Sequence, residues 1–61
     1  MGFNPGDRVV INEDYPPAEV HGCHGTVVAH DGLFVKVRLD NERFNMADGW
    51  CLFLPEELEN I

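Results

Sequence analysis

Basic residues are scarce in this chain. Four lysines and arginines stand against eleven aspartates and glutamates, a formal net charge of −7. Non-specific binding to DNA or RNA needs a local surplus of Lys and Arg, so the composition disfavours it. Long apolar runs are missing as well. No stretch approaches the ~18 residues of a membrane-spanning helix, and no membrane partner is expected. The opening Met1 to Pro5 has neither the basic n-region nor the apolar h-region of a secretory signal. Gly6 stands where a myristoylation start needs Ser or Thr. A cytoplasmic location is the resulting expectation. Cysteine is limited to Cys23 and Cys51, with no CxxC spacing. Reduced, packed thiols are expected, and whether the two pair is left open. Repeats, low-complexity segments and linkers are absent, and no long stretch has helical period.

What is present is a small globular composition, 44% hydrophobic over 61 residues. That length makes one domain, 1–61. A chain this short buries only about 60% of its unfolded surface. It leaves little room for a deep cleft, which argues against an enzyme. The acidic balance suits a soluble chain or one that meets a basic partner.

Strand and turn signals alternate at short spacing. Asn4-Pro5-Gly6-Asp7 is turn chemistry, and Arg8-Val9-Val10-Ile11 is a β-rich run. Asn12 to Gly22 is acidic and carries Pro16-Pro17, which excludes a central strand and predicts a long loop. A second strand is expected from Cys23 to Ala29, with Gly25 near its start marking a bulge or a close backbone approach. Asp31-Gly32 between two β-rich runs signals a hairpin. In the third strand, Leu33 to Leu39, the apolar Val35, Val37 and Leu39 alternate with Phe34, Lys36 and Arg38. This period of two predicts a half-buried antiparallel strand. Asp40 to Gly49 reads as a polar loop and Trp50 to Leu54 as a fourth strand. Pro55-Glu56-Glu57-Leu58 reads as a one-turn helix or 3₁₀ turn, with Leu58 to Ile61 closing as a short strand. The expectation is an all-β chain: a five-stranded barrel, closed or nearly so, with one 3₁₀ turn before the last strand.

Gly6-Asp7-Arg8-Val9-Val10-Ile11, then Gly22-Cys23-His24-Gly25-Thr26-Val27-Val28, then Val35-Lys36-Val37-Arg38-Leu39 resemble the KOW-type SH3-like barrel. The ending Phe53-Leu54-Pro55-Glu56-Glu57-Leu58-Glu59 resembles the last turn and strand of such barrels, and the small photosystem I accessory subunit is similar in layout. The resemblance covers nearly the whole chain and implies the five-stranded SH3-like fold. Its members range over ribosomal and transcription-elongation modules, docking subunits of redox complexes and small proteins of bacteriophages, so fold alone does not choose a function. The acidity departs from the RNA-binding members. The aromatic groove of signalling SH3 domains is not recognisable either, so binding of proline-rich peptides is not assigned.

Several constellations bear on chemistry. His21, Cys23, His24 and Cys51 are zinc-ligand types, but their spacing matches no standard knuckle. Along a strand Cys23 and His24 point to opposite faces. A buried cysteine with exposed histidine neighbours is the expected arrangement, and no metal or other cofactor is expected. A Cys-His nucleophile would need a base in reach and an oxyanion site, and no motif supplies one. Glu56, Glu57 and Glu59 read as a solvated cap at a terminal turn, or as part of an acidic docking patch with Glu13, Asp14 and Glu19.

The favoured expectation is a non-enzymatic protein-interaction module, monomeric or weakly dimeric. It docks on a protein with a basic surface through Glu13, Asp14, Tyr15, Glu19, Phe34 and Phe44. Trp50 is assigned to packing. The alternative is an RNA or single-stranded DNA module using Arg8, Lys36 and Arg38 with Phe34 as a stacking neighbour.

Overall fold

The computed structural model describes residues 2–12 and 18–61. Five strands form one antiparallel sheet: β1 (Arg8–Ile11), β2 (His24–Asp31), β3 (Phe34–Leu39), β4 (Cys51–Phe53) and β5 (Leu58–Asn60). The strand order is β4-β3-β2-β1-β5. Among the described residues three 3₁₀ turns interrupt the connections, at Ala18–Val20, Glu42–Phe44 and Pro55–Glu57. The last is the turn expected before the final strand. The first falls inside the long loop, where the sequence signalled no element.

β1 begins after a turn in which the Asp7 N–H donates to the Asn4 carbonyl at 2.9 Å and the Asp7 carboxylate accepts the Asn4 N–H at 3.0 Å. Its residues alternate, with Val9 and Ile11 inward. The β2–β3 hairpin pairs Asp31 with Phe34, so its two-residue loop is Gly32-Leu33. Gly32 has φ +61° and Leu33 has no positive φ. A glycine alone in the left-handed region at the first loop position is the type II′ pattern. β2 therefore runs two residues past the expected Ala29, because His30 and Asp31 find partners in Val35 and Phe34. β3 starts one residue late for the same reason.

A bulge lies between Val27 and Ala29, leaving Val28 over. Gly25 instead marks a close approach. It pairs with Val9 on one side and Leu39 on the other. A Cβ there would lie 2.7 Å from Val37 Cγ1 and 2.8 Å from the Arg38 carbonyl oxygen.

The core gathers residues from every strand: Val9, Ile11, Val27, Val35, Val37, Leu39, Phe53 and Leu58, with Val20 added from the first 3₁₀ turn. With no second layer to cover it, this inner face is buried only if the sheet curls around it. The β4–β5 connection demands the same. β4 and β5 are opposite edges, joined by Leu54 and one 3₁₀ turn. A flat five-stranded sheet would hold them about 19 Å apart, whereas five extended steps reach at most about 18 Å and a 3₁₀ turn shortens that further. The sheet is nevertheless not closed: β4 and β5 are not paired, and two edges remain. Each edge strand is only three residues long, so little ladder is on offer to close a ring.

Candidate functional site

Two surfaces of opposite character flank the core. The first is the outer side of β3 and β4. Phe34, Lys36 and Arg38 point outward from β3, and Leu52 lies opposite Lys36 on β4. The Lys36 ammonium sits 4.6 Å from the centre of the Trp50 ring, a cation–π contact. Phe34 and Leu52 are exposed. The Arg38 guanidinium makes no ion pair or hydrogen bond among the described residues. Beside it is a hollow of about 340 Å³ lined by Arg38, Glu42, Asn45, Met46 and Gly49.

The loop that forms this hollow is tied down by Asn45. Its side chain accepts the Leu39 N–H at 2.9 Å and donates to the Leu39 carbonyl at 3.1 Å. Asn45 thus takes the place of a strand partner at the end of β3, beyond the reach of short β4. The Met46 N–H donates to the Trp50 carbonyl, which brings Trp50 back toward β3. The Cys51 thiol donates to the Phe44 carbonyl at 3.0 Å.

The second surface lies where β1 ends and β5 begins. Both stems of the long loop meet here. The Gly22 N–H donates to the Ile11 carbonyl, and the Asn12 N–H to the Glu57 carbonyl. The Asn12 amide also donates to the Glu56 carbonyl at 2.6 Å. The first 3₁₀ turn brings Glu19, the third brings Glu56 and Glu57, and β5 brings Glu59. None of these elements carries Lys or Arg. Glu57 is committed to structure, since its carboxylate accepts the Leu54 N–H at 2.8 Å. Glu19, Glu56 and Glu59 are exposed.

The docking residues expected from sequence are not gathered on one face. Glu13, Asp14 and Tyr15 lie outside the described residues. Glu19 accompanies Cys23, whose thiol donates to its carbonyl at 3.9 Å just before β2 begins. Phe34 stands at the other end of that eight-residue strand. Phe44 packs against the core, with the Arg43 guanidinium 5.6 Å from its ring centre. Phe34 instead shares its face with Lys36, Trp50 and Leu52.

The basic stripe is divided too. Lys36 and Arg38 share the outer face of β3, but Arg8 is engaged elsewhere. Its guanidinium makes a two-pronged ion pair with Asp40, at 2.9 and 2.7 Å, and donates to Thr26 Oγ1 at 2.8 Å. The hydrogen bond to Asp40 chiefly raises the Arg8 pKa, and the same bond chiefly lowers that of Asp40. Sequence reasoning missed Asp40 and Asn45, which only the fold brings to their partners.

Both cysteines are free and partly buried. Among the described residues no three His, Cys, Asp or Glu side chains converge as a metal site, and no helix is long and apolar enough to cross a membrane. No family model matches the chain, and no curated protein or solved structure matches it significantly.

Proposed function

We propose that this chain is a non-enzymatic interaction module of SH3-like design that docks through its acidic end on a protein with a basic surface. The order β4-β3-β2-β1-β5, curled around one core, supports the SH3-like reading. The observation that carries the docking reading is charge segregation. Glu19, Glu56 and Glu59 stand exposed on elements free of Lys and Arg. Such a field speeds encounter with a basic patch and rejects acidic ones.

The test is affinity capture from lysate of the cells in which the chain occurs, at low and moderate salt, assaying protein and nucleic acid together. Wild type and the triple variant E19K/E56K/E59K are compared. One stoichiometric protein, lost with the variant, supports the reading. A partner held equally by both, or recovery of nucleic acid alone, sinks it.

A further inference from the structure

We propose that the outer face of β3 and β4, with the hollow beside it, is where a second copy of this chain docks to form a two-fold symmetric dimer. Three observations combine. The first is an apolar patch. Phe34 and Leu52 stand exposed on adjoining strands, Trp50 is partly exposed beside them, and exposed Met46 lines the hollow. Gathered apolar surface of this kind marks an interaction site.

The second is a pair of opposite charges left without partners. Arg38 and Glu42 both line the hollow, yet they make no ion pair with each other. Neither side chain has a partner among the described residues. A two-fold axis passing between them across the hollow carries the Arg38 of each copy to the Glu42 of the other. A two-fold interface demands this self-complementarity, because one patch serves as both halves. The third is net charge. Chains of −7 repel one another, so two copies approach best by the face poorest in acid. β3 and β4 carry two cations and no acid, whereas β5 and the first and third 3₁₀ turns carry acids and no cation. Other occupants fit less well. A run of phosphates or an acidic segment is opposed by Glu42, and a basic segment by Arg38. A second copy satisfies both. No residue of this interface belongs to the acidic end, so the two proposals stand or fall separately.

The ¹⁵N-labelled full chain is diluted from about 1 mM to about 10 μM, with sedimentation equilibrium read in parallel. The expected result is a dimer that dissociates on dilution, with concentration-dependent shifts at Phe34, Leu52 and the Trp50 indole and none at Glu56 or Glu59. Arg38→Glu and Glu42→Arg each weaken self-association at least about tenfold, because each sets like charges against one another. Amide spectra show both variants folded. A one-to-one mixture of the two variants restores association, since every such contact again joins opposite charges. A monomer throughout the dilution overturns the proposal. So does self-association that both variants keep at wild-type strength, that the mixture fails to restore, or whose shifts fall at the acidic end. A chain that stays monomeric while oligouridylate or a basic peptide shifts Trp50 has a different occupant, and the proposal falls with it.

Discussion

The β3–β4 face and the acidic end differ in how their charges are held. On the first, Lys36 is drawn onto an aromatic ring, and Arg38 has no partner among the described residues and lines a hollow. On the second, side-chain anions stand exposed while the backbone beneath is pinned by Asn12. One surface therefore offers shape and mixed chemistry, the other chiefly a field. A field acts on encounter rate and is weakened by salt, with a screening length of about 8 Å at physiological ionic strength. A shaped apolar face acts on residence time.

Both hang on one small core, and the largest expected effect follows from that. Phe53 is 1% exposed and is the largest fully buried side chain among the described residues. Truncating such a residue to alanine costs about 3–5 kcal/mol. The whole chain, at about 0.05–0.15 kcal/mol per residue, holds only about 3–9. Phe53→Ala is expected to abolish cooperative melting in calorimetry, and with it the docking proposed for the acidic end. A cooperative transition kept near the wild-type temperature would mean that the two surfaces do not hang on this core.

Gly25→Ala is the next largest. Gly25 lies in β2, which joins the acidic side to the basic one. An added Cβ meets the Arg38 carbonyl, part of a backbone that cannot swing aside as a side chain does. Overpacking of this kind costs about 1–3 kcal/mol. Urea denaturation is expected to show a lowered midpoint with a folded baseline. An unchanged midpoint would show that β2 and β3 separate freely, and that the two sides are less tightly coupled than one curled sheet requires.

The parts of this architecture that local chemistry dictates were legible in the sequence. Arg8–Ile11 has the bounds read from its β-branched run, and Val35, Val37 and Leu39 point inward as their alternation predicts. The third 3₁₀ turn followed from Pro55. What could not be read depends on partners distant in sequence. His30 and Asp31 look like turn residues and are strand because β3 pairs with them. The bulge at Val28 has no local signature. Arg8 reads as a cation available for phosphate, but the fold brings Asp40 to it, 32 residues away. Trp50 reads as the start of a strand, but it lies just before β4, partly exposed against Lys36. A site made of cross-strand neighbours becomes visible only once the register is known.

The Lys36–Trp50 pair sharpens the comparison from one side only. An exposed cation–π contact is worth about 0.5–1 kcal/mol. Lys36→Met keeps an unbranched chain over the ring and removes the charge. The expected result is a small fall in melting temperature and a change in Trp50 emission, with no effect on binding through the acidic end. A change at the acidic end would show that the two fields overlap.

The smallest expected effect tests the ion pair that keeps Arg8 out of the basic face. Asp40 has a folded-state pKa held below its ordinary value, chiefly by the hydrogen bond from Arg8. A depressed carboxylate pKa adds stability that is fully present above the unfolded-state value, about 3.9. That stability is lost as pH falls through the lowered folded value. Because both side chains are about half exposed, 44% and 56%, solvent screens the pair and the effect is small. Asp40→Asn is expected to flatten the stability profile below about pH 4 and leave it nearly unchanged at neutral pH. Carboxyl ¹³C titration reads the Asp40 value directly. A value at or above that of a free aspartate would mean that Arg8 is not held, and that a third cation is free to join Lys36 and Arg38 on the basic side.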